Sequence, residues 1–205
     1  MRIPITVEAT RNYADIFVPE IEKGLGMKLD YRGVEEGRDV RGLYTIGGII
    51  YTPNPPLSFP EEKLEMGVLH EFGHIANKTI NPNSPDLIEL NLNDMENDMW
   101  KYIHNEGSAE VWGLDIFPEM CNVSEQCKKI IDTERKIHEN HIQNDRLVEH
   151  GFSSAISTGY NLFRSIYINY GLDGLVNYIK HMHEFDTPKR NDFLFPDPYL
   201  ERLDL

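Results

Sequence analysis

Apolar residues Leu64, Val68, Phe72, Ile75 and Ala76 recur at the three- and four-residue intervals of an α-helix with one buried face. The preceding Ser58-Phe59-Pro60-Glu61 reads as the start of that helix, with a hydroxyl for the N-cap, an early proline and a capping-box acid. Further upstream, an amphipathic segment near Asn12 to Met27 predicts a helix that ends at Gly24 and Gly26. Lys28 to Val34 and Leu43 to Tyr51 predict strands, the second running into a Pro-rich turn at 53–56. Gly47 and Gly48 within it mark either a bulge or a place where another backbone can come close.

Beyond His74 the pattern is predominantly helical. Asn81-Pro82-Asn83-Ser84-Pro85 predicts a turn and an N-cap, and Leu87 to Ile103 sets apolar residues among many Asn and Asp. Phe117-Pro118 predicts the close of the following helix. Ser124 to Val148 predicts a long charged helix with apolar Ile130, Ile131, Ile137, Ile142 and Leu147. Gly159 to Gly171 is apolar-periodic, with Gly171 as its stop and Asp173 opening the next helix. The expectation is an α+β fold: a small N-terminal mixed sheet with helices, a central helix, and a mainly helical C-terminal half. It is read as one domain over residues 1–205, with an N-terminal part at about 1–80 and a helical part at about 81–205.

Charge and composition narrow the class. A chain of 205 residues can bury a core without a staple. A formal net charge of −14 argues against nucleic acid or an anionic membrane as partner, since both require a basic footprint, and suits a neutral or cationic substrate. No apolar run reaches membrane-spanning length, and the first residues lack the apolar core of a signal peptide, so the chain, read as complete, is expected in the cytoplasm. Cys121 and Cys127 are the only cysteines and are expected as thiols in a reducing compartment; a local disulfide is the alternative if residue 121 lies in a turn. Without a secretory signal, the acceptor-like Asn122-Val123-Ser124 is read as incidental.

The chemistry is concentrated in His70-Glu71-Phe72-Gly73-His74. Histidines at i and i+4 lie on one side of a helix, about 6 Å apart along its axis, so both imidazoles can reach one metal ion, with zinc the natural occupant. Glu71, on the same helix, is placed as the general base of a zinc hydrolase. The flanking Val68, Leu69, Phe72, Gly73, Ile75 and Ala76 are uncharged, as expected for a helix crossing an interior beside a metal. The longer H-E-x-x-H-x-x-G-x-x-H arrangement does not apply, because Asn77 and Ile80 occupy its glycine and third-histidine positions. The best remaining source of a third ligand is Asn105-Glu106-Gly107-Ser108-Ala109-Glu110, whose two acids share a helix face; the alternative reading is an acidic helix N-terminus facing the helix dipole.

These two blocks, H-E-F-G-H and N-E-x-x-A-E, resemble those of the gluzincin zinc metallopeptidases. The resemblance covers two short stretches. It implies a zincin-like domain with one catalytic Zn2+ bound by His70, His74 and Glu106, Glu71 as general base and Glu110 supporting a ligand from behind. Many members carry Asp where this chain has Glu110. The implied substrate is a peptide or protein lying extended in a cleft, with Leu43 to Tyr51 as a sheet edge able to pair with it; the alternative for that segment is an ordinary core strand. Absence of a G-A-M-E-N stretch leaves endopeptidase and other exopeptidase activities open. The alternative function is a zinc-binding regulatory or interaction module without peptidase activity, with Cys121 or a further histidine closing the fourth position. Tyr160, Tyr102 and His150 are the candidate donors to a developing oxyanion. His138 and His141, at i and i+3, are read as exposed polar residues rather than a second metal site.

Overall fold

The computed structural model describes residues 1–37, 42–84, 95–143 and 152–181, with the backbone alone for 95–101, 141–143 and 152–155. The elements in order are β1 (Arg2–Pro4), α1 (Val7–Leu25), β2 (Gly33–Glu36), β3 (Tyr44–Ile46), β4 (Ile49–Thr52), β5 (Ser58–Pro60) and α2 (Glu61–Ile80). There follow α3 (Met95–Val111), a π-helical turn at Trp112–Ile116, α4 (Phe117–Met120), α5 (Glu125–Gln143) and α6 (Phe152–His181). This is a mixed α+β architecture, mostly helical with small sheets, as the hydrophobic pattern predicts. Among the described residues, no helix is long and apolar enough to cross a membrane.

Local chemistry moves several boundaries. Thr6 is the N-cap of α1, its hydroxyl accepting from the Ala9 N–H at 3.1 Å, so this helix starts before the amphipathic segment at Asn12. It stops as expected at Gly26, which takes φ 67°. Of the expected first strand, Lys28 to Val34, only Gly33 and Val34 are strand, and β2 runs on to Glu36. The expected single strand at Leu43 to Tyr51 is instead a hairpin. Gly47 and Gly48 both have positive φ (53° and 83°), the requirement of a two-residue turn whose twist matches the flanking strands, and they return β4 antiparallel to β3. The resulting sheet has the order β2-β4-β3, with β2 parallel to β4.

Ser58 does not cap α2. It lies in β5, which pairs antiparallel with β1, and the first N–H of the helix, on Glu61, donates to the Met1 carbonyl at 3.0 Å. The apolar face of α2 is as expected: Leu64, Val68, Phe72, Ile75 and Ala76 are buried. One hydrophobic cluster runs from Ile5 through Phe17, Ile50 and Phe72 to Trp112, Phe163 and Ile179, joining the sheet-bearing and helical parts.

In the helical part, α3 packs between α2 and α6 with very little space. A Cβ on Gly73 would stand 2.7 Å from the Ala109 backbone, and one on Gly107 would stand 2.3 Å from the Gly159 backbone. Glu106 lies well inside α3, described from Met95, which removes the reading of Glu106 and Glu110 as a helix N-terminus. Phe117-Pro118 does not close that helix either: the chain continues through the π turn into α4, where Pro118 fits the first turn. Ser124 caps α5, accepting from the Cys127 N–H at 3.1 Å, and is itself bound through its N–H and hydroxyl by the buried Glu65 carboxylate of α2. Helix α6 begins at Phe152, earlier than Gly159, and is broken where expected, at Gly171 with φ 69°. Residues 85–94 and 144–148 of the expected helical runs lie outside the described residues.

The glycine contacts make a stability prediction. Gly107→Ala and Gly159→Ala should each lower the unfolding free energy by about 1–3 kcal/mol or more, the usual cost of forcing extra volume between packed backbones. Ile168→Ala, at a side chain 64% exposed, should stay within about 0.5 kcal/mol. Urea unfolding of the three variants checks the contrast.

Candidate metal centre

Helix α2 presents His70 and His74 one turn apart, and their Nε2 atoms come to 3.1 Å of each other. Helix α3 brings the Glu106 carboxylate between them, Oε2 at 3.3 Å from His70 Nε2 and Oε1 at 3.4 Å from His74 Nε2. These are the three residues that the sequence motifs nominate as ligands. Among the described residues they form the one group of His, Cys, Asp or Glu side chains with its donor atoms gathered as a metal site requires. Tetrahedral ligands held about 2.0–2.1 Å from a zinc ion are separated by about 3.3–3.4 Å, so the spacing suits that ion.

The far side of each ring decides what the near side can do. His74 Nδ1 is 3.1 Å from Asn105 Oδ1, an acceptor, so the ring proton sits on Nδ1 and the Nε2 lone pair points to the centre. His70 Nδ1 faces Glu110 Oε1 at 3.5 Å, with the same consequence. Two lone pairs and a carboxylate thus converge with no proton among them when the rings are neutral. Only positive charge satisfies that arrangement, as two protons or as a metal cation. The donor set therefore fits zinc.

Proton affinities in the metal-free chain express the same demand. Burial opposes charging His70, yet Glu110 and Glu106 outweigh it and raise its pKa well above the ordinary 6.5; His74 is raised too, against burial, chiefly by Glu106. For Glu106 burial acts in the opposite sense and is outweighed by His74 and His70, which hold the carboxyl far below the ordinary range. Glu110 is lowered against burial by His70 and then His138.

Glu71 is buried beside the cluster, and its Oε2 accepts the Thr45 hydroxyl proton at 2.8 Å. Thr45 lies on β3, the outer strand of its sheet among the described residues, which ties that strand to the site. His70, Glu71, Glu106 and Glu110 line a cavity of about 250 Å³, walled on its apolar side by residues such as Leu43, Phe59 and Leu114. The π turn closes on the centre from another side, where a Cβ on Gly113 would stand 3.0 Å from His70 N and Cα.

Of the oxyanion candidates, Tyr102 stands near the acids: burial, then Glu106 and Glu110, raise its pKa. Tyr160 is fully buried against Asp115 and His138, and it does not line the cavity. His150 lies outside the described residues, as does the side chain of His141. His138 is buried, not exposed as expected. Cys121 and Cys127 are free, buried thiols, each pushed up to about 12 by burial and by Glu20 and Glu65 respectively, and neither belongs to the metal group.

The sequence reading assigned no role to Asn105 or Thr45. Asn105 sits within the second motif, where an amide preceding a ligand acid was the available signal. Thr45 could be found only through the hairpin, because its partner lies on a different element.

No protein-family model, curated protein or solved structure matches this chain.

Two outcomes follow for the centre. The purified chain should bind one zinc, and both His70→Ala and His74→Ala should abolish tight binding, with Glu106→Ala more damaging than Glu110→Ala; metal analysis and chelator competition measure this. Stability of the metal-free chain should depend on pH in a defined sense. The raised histidines contribute fully below their ordinary 6.5 and lose that contribution as pH climbs through their raised values. The lowered Glu106 and Glu110 contribute fully above their ordinary 4.5 and lose it as pH falls through their lowered values. Thermal unfolding with chelator should accordingly peak between pH 4.5 and 6.5. Zinc at a hundred times its Kd should add about 2.7 kcal/mol and move the optimum to higher pH, because it displaces the ring protons.

Proposed function

We propose that this chain is a zinc-dependent metallopeptidase with a zincin-like catalytic domain, acting on peptide or protein substrates. The observation that carries the reading is the meeting of His70 Nε2, His74 Nε2 and the Glu106 carboxylate at a cavity that Glu71 also lines. A zinc ion held by these three groups would supply Lewis acidity for hydrolysis of an amide.

The chain's own residues carry the rest. Glu71 acts as general base, taking the proton of the attacking water and passing it to the leaving amine. Thr45 keeps its carboxylate turned toward the site with a single hydrogen bond. Asn105 and Glu110 hold the two ligand rings in the tautomer that turns Nε2 inward. The outer edge of β3 offers backbone N–H and C=O groups to an extended peptide beside Glu71. Leu43, Phe59 and Leu114 give the cavity room for an apolar side chain. The two buried free thiols suit a cytoplasmic location, which is part of the proposal.

Glu71→Gln should retain the fold and the metal, since residue 71 is not among the converging ligands, while peptide cleavage falls by about 10²–10⁴-fold. Thr45→Val should cost less, about 10–100-fold, in line with the roughly 1.5–3 kcal/mol of a hydrogen bond to a charged group. Cleavage of a broad peptide library, read by mass spectrometry beside metal content, makes the measurement. A zinc-loaded chain that cleaves nothing, with a fourth protein ligand on the metal, would replace this reading by that of a binding or regulatory module.

A further inference from the structure

We infer that His138, on α5, is a positioning residue for the metal centre: it holds Glu110 from behind, and Glu110 in turn holds His70. The inference rests on the metal-centre reading above and adds to it a residue from a third helix.

Glu110 lies between two imidazoles. Its Oε1 is 3.5 Å from His70 Nδ1 and its Oε2 is 4.0 Å from His138 Nε2. It is also one turn from Glu106 on the same face of α3, where like charges repel. Its side chain is 20% exposed, and on the side away from His70 it faces the imidazole of His138. His138 is the cationic or donor group on that side.

The surroundings of His138 are built to keep it there. Its Nδ1 is 2.9 Å from the Ser157 hydroxyl of α6, and its ring lies against the Tyr160 ring at 4.7 Å between centroids. The Asn161 side-chain amide donates to the His138 carbonyl at 2.9 Å and to the Ser157 carbonyl at 2.7 Å, fastening α5 to α6 at this point.

Glu110 selects the tautomer. With a proton on Nδ1 alone, the Nε2 lone pair of His138 would face a carboxylate and repel it. With the proton on Nε2, the positive end of that N–H faces Glu110 while Nδ1 accepts the Ser157 hydroxyl proton, so both of these described contacts are favourable. Ser157 then donates to His138, whose Nε2–H turns its positive end toward Glu110 across 4.0 Å, an electrostatic contact longer than a hydrogen bond, while the other Glu110 oxygen faces His70 Nδ1 at 3.5 Å.

A double-mutant cycle on the full chain, read as zinc affinity by chelator competition, tests this. His138→Ala should weaken zinc binding about 10-fold, at the low end of the range of about 10–100-fold for groups behind a ligand, because it acts through Glu110. The Glu110→Gln, His138→Ala double variant should bind no more weakly than Glu110→Gln alone, since His138 has no route to the metal once Glu110 is altered. His138→Gln, which restores an N–H at that reach, should recover most of the loss. Long-range proton–nitrogen spectra of the imidazoles should place the His138 proton on Nε2, and Ser157→Ala should weaken that preference. Multiplicative losses in the double variant, or unchanged affinity in His138→Ala, would overturn the inference. If His138→Ala fails to fold, a wild-type proton on Nδ1 would do the same. Peptide cleavage enters none of these readings, so a chain that binds zinc without cleaving peptides decides the matter equally. A wild-type chain that binds no zinc would fail earlier, at the centre itself, and the inference would fall with it.

Discussion

Three electron-pair donors facing one another, which only added protons or a metal cation can reconcile, are the constraint on which the site depends. His70 Nε2, His74 Nε2 and Glu106 approach to between 3.1 and 3.4 Å. Left without positive charge, such a cluster would push the helices carrying it apart, because lone pairs and a carboxylate in a partly buried place have neither water nor each other to turn to. The remainder of the molecule resists that separation. Gly73 and Gly113 let the α3 and π-turn backbones lie directly on α2, so the ligand side chains meet with little freedom. Asn77 adds polar fastening one turn beyond His74: its amide donates to the Ser108 hydroxyl at 2.7 Å, and its carbonyl accepts the Trp112 indole N–H at 2.9 Å.

The same logic of fixed distances accounts for the π turn. Its five residues follow directly after Val111, and the Arg135 guanidinium of α5 donates to the Leu114 carbonyl and pairs with Asp115 at 3.0 Å. Asp115 also faces Arg164 of α6 at 3.7 Å. A widened turn loosens backbone hydrogen bonding locally, and here Arg135 takes up the Leu114 carbonyl while Arg164 pairs with the Asp115 carboxylate. The turn that carries Gly113, against His70, is thereby fastened to α5 and α6.

The parts of this arrangement legible in the sequence are those carried by one helix. The H-E-x-x-H spacing places His70, Glu71 and His74 on α2 by helical geometry alone, and the apolar periodicity of Leu64 to Ala76 says which face is buried. Glu106 and Glu110 were legible as a pair, again by spacing within one element. The boundaries that the pattern misplaced have two other causes, distant partners in some cases and local turn or cap chemistry in others. Ser58 has the chemistry of a cap, yet the N-terminal β1 pairs with its strand and the Met1 carbonyl meets the first helical N–H instead. Leu43 to Tyr51 reads as one strand until both glycines adopt positive φ and fold it into a hairpin. Histidine 138 looks like a surface residue on a charged helix, and only the docking of α6 buries it beside Ser157 and Tyr160. Local propensity carries no information about such meetings.

The two glutamates closest to the histidines differ in what they face, and this separates their roles. Glu106 meets imidazole nitrogens on both oxygens, the environment of a ligand. Glu71, buried in the same helix as the histidines, meets a hydroxyl. A threonine hydroxyl directs a carboxylate without cancelling its charge, and it occupies only Oε2; Oε1 has no hydrogen-bond partner among the described residues. One oxygen is thus held by the sheet, and the other is the one the proposed reaction would use as proton acceptor in the cavity that Glu71 lines. Had the chain placed an arginine or lysine at position 45, the same orientation would have come with neutralisation of the base. Under the proposed hydrolysis, the uncharged partner on β3 is what would let Glu71 serve as base while Glu106, a helix away, served as ligand, the pattern in which environment assigns different tasks to chemically identical groups.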